Sequence, residues 1–192
     1  MSSSAIKRAA PAAQATGTAA TAQVFVLASN SQLPCTLAVP GAGALDGRRF
    51  NIRGEGSAYV AAGTTTVNLT LLGGTTVPAS PLVAANWTTI KALTATAIAT
   101  ASYAPWWIEA QIMYDSNGGL LQGAAFGMIN NASIASAALT NQLTGINGTN
   151  VPVQQGASLV QPANPVCFFA LAITFGTAGA NIGNLANFEI GF

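Results

Sequence analysis

The residues able to do chemistry in this chain are few, and their types narrow the options at once. The sequence contains no histidine. That removes histidine-dependent general-base catalysis, the Ser-His-Asp triad and most zinc sites together. Cys35 and Cys167 are the two cysteines; alone they cannot make a structural zinc site. The carboxylates are Asp46, Glu55, Glu109, Asp115 and Glu189. A pair of them flanking a glycosidic bond is the acid–base chemistry still conceivable. Yet Asp115 falls in a turn and Glu109 on the polar side of an alternating strand, so each reads first as a solvated or ion-paired surface group. The Gly-rich pieces "GAG" (41–43) and "NGG" (117–119) lack the phosphate-loop pattern and read as turns. The sequence therefore predicts no catalytic residues, no cofactor and no metal.

Charge is scarce, and where it occurs is informative. Charged residues make up 6% of the 192-residue chain, against about 25% in an ordinary soluble domain. Five of the eleven charges, Asp46, Arg48, Arg49, Arg53 and Glu55, fall within ten consecutive positions. A chain so poor in charge and near neutrality tends to associate. Either a membrane or a permanent assembly would accommodate it. A membrane helix needs about 20 predominantly apolar residues. The best stretch, residues 92–108, is rich in Thr and Ser and carries Pro105. A membrane barrel would consume nearly the whole domain in strands, and the N-terminal Ala/Thr/Gly/Gln run lacks the apolar centre of a secretory leader. Assembly is the remaining option. With a net charge of +1, no basic stripe and only Lys7 and Arg8 near the N-terminus, nothing argues for nucleic acid.

The elements that would position these residues are strands. Residues 1–21 form an arm of small side chains without apolar periodicity, unable by itself to offset its ordering entropy. An order-giving partner, a shell or a neighbouring subunit, is the expectation for it. From residue 22 to 192 the chain reads as one β domain. "AQVFVLA" (22–28) and "CTLAV" (35–39) are short and β-branched. "RRFNIRG" (48–54) alternates, with Phe50 and Ile52 on one face and Arg49, Asn51 and Arg53 on the other. "TTVNLTL" (65–71) alternates as well, and residues 87–98, 106–114, 120–129, 166–175 and 186–192 complete the set. "DSNGG" (115–119) predicts a hairpin turn. Residues 130–143 are the best helical stretch, a short helix or a loop. About eight strands with almost no helix indicate an antiparallel sandwich or barrel.

Neighbours on a strand point to opposite faces, so Trp106 and Trp107 cannot share one core. One of them is expected inside; the other is half-exposed under a loop or in a subunit interface, where Trp is enriched. Phe168 and Phe169 repeat the pattern, which makes several strands apolar on both faces. The Asn-x-Ser/Thr triplets at Asn68, Asn86, Asn131 and Asn147 follow from a composition rich in Asn and Thr. The two cysteines read as buried free thiols rather than a disulfide framework.

The run "GRRFNIRGEGSAYVAAGTTTVNLTLLGG" (47–74), then Trp87, then "PWWIEAQIMYDSNGGLLQG" (105–123) and "NPVCFFALAITFGTAGANIGNLANFEIGF" (164–192) resembles the jelly-roll decoration, or cement, proteins on the heads of tailed bacteriophages. The resemblance spans roughly residues 45–192 and rests on the order of strand types. It implies an antiparallel jelly roll of about eight strands, a homotrimer seated on the major capsid protein at the virion exterior after assembly in the host cytoplasm, and no catalysis. Lys7, Arg8, Arg48, Arg49, Arg53, Trp106 and Trp107 would then serve the interface. On the same reading no nucleic acid, membrane or small-molecule ligand is a partner. The competing expectation is a carbohydrate- or receptor-binding jelly-roll module of a head or tail fibre, with Trp87, Tyr103 and Trp106 or Trp107 as its aromatic surface. A genome-enclosing shell protein is a third reading, disfavoured by so weakly basic an arm.

Overall fold

The computed structural model describes residues 7–8, 13–17, 22–27, 30–39, 49–61, 63–74, 76–93, 96–98, 102–115, 120–129, 167–177 and 179–191. Asp46, Arg48, Asn131, Asn147, the helical stretch 130–143 and the turn residues 41–43 and 117–119 lie outside them. Lys7, Arg8, Arg49, Asp115 and Cys167 enter as strand positions only.

The strands in chain order are β1 (Lys7–Arg8), β2 (Ala13–Gly17), β3 (Gln23–Val24), β4 (Val26–Leu27), β5 (Asn30–Pro34), β6 (Thr36–Val39), β7 (Arg49–Val60), β8 (Thr65–Gly74), β9 (Thr88–Ala92), β10 (Thr96–Ile98), β11 (Ser102–Asp115), β12 (Leu120–Ile129), β13 (Cys167–Phe175) and β14 (Asn181–Gly191). The described helix is one short 3₁₀ turn at Ala84–Asn86. Two antiparallel sheets pack together. Sheet A runs β1-β14-β7-β11-β12, with β2 also on β14; sheet B runs β10-β8-β13-β3, with β6 on β13 and β9 on β8. β4 and β5 form a separate ribbon. Of the all-β antiparallel sandwich or barrel read from the sequence, the sandwich is the architecture.

Alternation builds the core. On β7 the even positions Ile52, Ala58 and Val60 face inward, on β11 Ala104, Trp106, Ile108, Ala110 and Ile112, and from sheet B Val67, Leu69, Leu71, Phe169, Leu171, Ile173 and Phe175 meet them. In β14 the inward positions switch from Leu185 to Phe188 and Ile190, because the pairing with β7 shifts between Leu185 and Asn187. One extra residue in a strand exchanges its two faces. Gly54 lets the sheets close: a Cβ there would overlap the Leu171 side chain from the opposite sheet.

Three further features depart from or refine the sequence reading. β11 begins at Ser102, ahead of the predicted strand, and contains Pro105. Pro105 pairs with Ser57 on β7, whereas pairing with β12 starts only at Trp106. Among the described residues the proline thus has a neighbour on one side alone, a position where its missing N–H is tolerated. Second, the strands that are apolar on both faces have an internal reason. The far face of sheet B, with Leu72, Ala170, Ala172 and Val24, is covered by Ala84 and Trp87, and Phe168 packs against this cluster. Trp87 is fixed there by donating from Nε1 to the Pro81 carbonyl at 2.8 Å. Third, the arm residues expected to await a partner pair with their own chain. β1 and β2 lie end to end along one edge of β14, Lys7 opposite Ile190 and Ala13 opposite Leu185. Small side chains suit this role, since main-chain hydrogen bonds do the holding.

The two loops at one end of the sandwich are tied by Asn181, which is 1% exposed. Its Oδ1 accepts from the Ala61 amide at 3.0 Å and its Nδ2 donates to the Thr177 carbonyl at 3.0 Å. Both ends of a buried amide are thereby satisfied.

Candidate interaction surface

The outer face of sheet A collects the polar, charged and aromatic residues that alternate against the core. Its middle strands place them in rows. In one row Arg8 of β1 stands opposite Glu189 of β14, Glu189 opposite Arg53 of β7, and Arg53 opposite Glu109 of β11. Charges of alternating sign thus occupy the same level of four adjacent strands. Arg53 also reaches along its own strand, Nη2 to Glu55 Oε2 at 3.1 Å, with the two side chains 53% and 41% exposed. So exposed a pair contributes only about 0–1 kcal/mol.

The row has a larger effect on register than on stability. A slip of one residue would turn every side chain to the wrong face. A slip of two in one direction would place Glu109 or Glu189 opposite Glu55 instead of Arg53, and like charges directly opposite are destabilising; in the other direction it would place them opposite Asn51 and lose the opposite charge. In a sheet this poor in charge, the few ionic side chains penalise both alternatives. The charge cluster seen in the sequence is therefore partly a feature of one sheet face: Arg53 and Glu55 belong to it, joined by Glu109, Glu189 and the strand position of Arg8, which lie far from them in sequence.

The other half of the face is aromatic, with Glu55 at its border as its one described charge. Tyr59 stands opposite Tyr103, with ring centroids 4.6 Å apart and planes tilted by 36°. Tyr103 is 60% exposed. Ile182 flanks Tyr59 on its other side. In the next row Pro105, Ser57 and Asn184 lie side by side, and Asn184 Nδ2 donates to Ser57 Oγ at 3.4 Å. The row after that carries Trp107, Glu55 and Asn187. Trp107 is half-buried on this outer face, while Trp106 is 2% exposed in the core, with the Phe25 ring 5.7 Å away.

The remaining sequence candidates fall elsewhere. Trp87 and Trp106 are buried, so neither belongs to an aromatic surface. Cys35 is free and fully buried, and burial pushes its thiol up to about 11. A thiol held protonated in this way is a poor nucleophile and a poor metal ligand. Glu55, Glu109 and Glu189 do share a face: Glu109 and Glu189 stand in one row with Arg53, and Glu55 pairs with Arg53 along β7. Among the described residues no group of three or more His, Cys, Asp or Glu could hold a metal ion. No described helix is long and apolar enough to cross a membrane. Asn86 is exposed and Asn68 half-buried in β8.

Sequence reasoning missed Tyr59. It lies five residues beyond the alternating run 48–54, and only continuing the strand to Val60 through Gly54 and Gly56 puts it on the outer face. The sequence signal was present: odd positions 51, 53, 55, 57 and 59 are all polar or aromatic. No protein-family model, no curated protein and no solved structure matches this chain.

Proposed function

We propose that the protein is a virion structural component: a jelly-roll decoration, or cement, protein that seats as a homotrimer on the outside of a tailed-bacteriophage head, contacts the major capsid protein and stabilises the shell without catalysis. The observation that carries this reading is the order of strand pairing. A jelly roll is a long antiparallel hairpin wound into two sheets, so its first strand pairs with its last, its second with its next to last, and so on inward. Here β2 pairs with β14, β6 with β13, β7 with β11, and β8 with β9 and β10. The pairs β2/β14 and β7/β11 lie in one sheet and β6/β13 and β8/β9 in the other, as alternate turns of the winding require. β12 then extends the first sheet beyond β11.

Composition supports the assembly role independently. A 6% charged chain gains solubility when part of its surface is covered by other subunits. The two-faced apolar strands no longer support it, because segment 84–87 covers the far face of sheet B from within the chain. The interface on this reading is the charged row of the outer face of sheet A, with Arg53 and the strand position of Arg8; Trp106 lies in the core. Native mass measurement at micromolar concentration, together with co-sedimentation on purified phage heads lacking the protein, tests the proposal. A mass of three chains and saturable binding to heads is expected. A monomer that ignores the heads overturns it.

A further inference from the structure

Beyond the capsid role, we propose that the aromatic half of the outer face of sheet A is a binding platform for a neutral oligosaccharide, with Tyr103, Tyr59 and Trp107 as stacking rings and Ser57, Asn184 and Asn187 as hydrogen-bonding partners. Four observations converge on that ligand class. Tyr103 is the most exposed large hydrophobic side chain described, at 60%, yet its ring is oriented by a tilted contact with the Tyr59 ring, centroids 4.6 Å apart. A solvent-facing ring whose position is already fixed loses little rotational freedom when a partner lands on it. Tyr103, Pro105 and Trp107 occupy alternate positions of one strand, so their flat faces repeat every ~7 Å along a single line. A chain of pyranose rings presents its C–H faces in the same linear manner.

The polar groups beside the line are of the right kind. Asn184 and Ser57 share one long hydrogen bond of 3.4 Å, and an amide plus a hydroxyl have several donor and acceptor positions beyond that one. Sugar hydroxyls, each both donor and acceptor, match such mixed groups. Charge decides against other ligands. The two rows Tyr103–Tyr59–Ile182 and Pro105–Ser57–Asn184 hold no Lys, Arg, Asp or Glu, and Glu55 at their border is already engaged by Arg53 at 3.1 Å. A phosphorylated or sulfated ligand finds no unpaired cation there, and a basic one no unpaired anion. A neutral polyol with apolar faces fits.

The position of the tryptophans makes the proposal testable by their fluorescence. Trp87 and Trp106 are buried, so a ligand on the outer face reaches Trp107 alone. The probes are neutral hexasaccharides of glucose in α-1,4 and β-1,4 linkage and of N-acetylglucosamine in β-1,4 linkage, titrated to millimolar concentration. At least one is expected to shift the emission saturably, with Trp107→Phe abolishing the signal while calorimetry still detects binding. Tyr103→Ala is expected to weaken that binding more than tenfold, and Glu55→Gln less than twofold. Both exposed substitutions leave the core untouched, and circular dichroism checks it. The proposal is overturned if no probe binds saturably, if Tyr103→Ala binds normally, or if Tyr103→Ala instead lowers the native mass, which would make this face a contact between copies. Binding to phage heads is measured separately on the same variants, so loss of sugar binding with retained head binding separates this proposal from the capsid role.

Discussion

Trp106 and Trp107 are adjacent in β11 and face opposite ways: Trp106 lies in the core, 2% exposed, and Trp107 stands half-buried on the outer face opposite Glu55. The room for the Trp106 indole comes from Gly56, where a Cβ would come within 2.7 Å of its Cζ2. The Trp106 Nε1 is buried with no hydrogen-bond partner among the described residues.

Substitution of the two tryptophans should therefore separate cleanly. Trp106→Ala removes a core aromatic and should cost about 3–5 kcal/mol in urea unfolding. Trp106→Phe keeps much of the volume and removes an unpaired N–H, so it should cost clearly less than the alanine change. Trp107→Ala should alter folding stability by less than about 1 kcal/mol, as surface changes do. Equal costs for Trp106→Ala and Trp107→Ala would mean that the facing of β11 is wrong.

Gly56 makes a sharper test of the packing between β7, β11 and β14. A Cβ there would overlap the Asn184 backbone carbonyl as well as approach Trp106. A backbone atom cannot swing aside as a side-chain end can. Gly56→Ala should thus destabilise by several kcal/mol or prevent folding, in the range of overpacked cores at about 1–3 kcal/mol or more. Gly191, where an added Cβ meets nothing within 4 Å, is the control: Gly191→Ala should leave the urea midpoint nearly unchanged.

How much of this was legible in the sequence differs by element. The alternation of "RRFNIRG" and "TTVNLTL" placed β7 and β8 and their faces, because a half-buried strand writes its exposure pattern directly into residue type. The one-in, one-out pairing of Trp106 and Trp107 followed from strand geometry alone. Which one is inside did not, because it depends on Gly56 in β7 and on Phe25 between β3 and β4. The alternating row Arg8–Glu189–Arg53–Glu109 was invisible for the same reason: its members are brought together only by the register of four strands. Likewise Phe168 with Phe169 correctly signalled a strand apolar on both faces. Only the fold reveals that Trp87 and Ala84, rather than a second subunit, cover the extra face.

The Cys35 thiol should make stability fall at high pH. Burial raises it from 9.0 to about 11 in the folded protein. Above the unfolded value the unfolded chain has lost a proton that the native state still holds, so stability declines as pH rises. The contribution is fully present below about pH 9 and gone above about pH 11, on the order of 2–3 kcal/mol in all. Thermal midpoints of the parent and Cys35→Ala, measured from pH 8 to pH 11, should converge as pH rises, because the alanine variant lacks this titration. Parallel curves across that window would show that Cys35 ionises equally well in both states.

The arm is the remaining structural relationship with a direct experimental consequence. β1 and β2 occupy the edge of β14 that β7 leaves open. Strand edges with unpaired N–H and C=O groups invite pairing with other chains, so the arm acts as an internal cover for that edge. Sheet B's outer strands show the same economy, with β3 and β6 sharing one side of β13 and β9 and β10 sharing one side of β8. Deleting residues 2–17 should leave the sandwich folded, since β14 keeps its long pairing with β7. It should nonetheless lose main-chain hydrogen bonds worth a few kcal/mol in total at roughly 0.5–1.5 kcal/mol each. For a domain of this size that lowers the thermal midpoint by about 2–4 °C per kcal/mol. Amide exchange should accelerate selectively in Asn181–Gly191, and the truncated protein should aggregate at concentrations where the parent does not. An arm that served only to grip a capsid would give a different result: an unchanged midpoint and unchanged exchange in β14, with the loss confined to binding of phage heads.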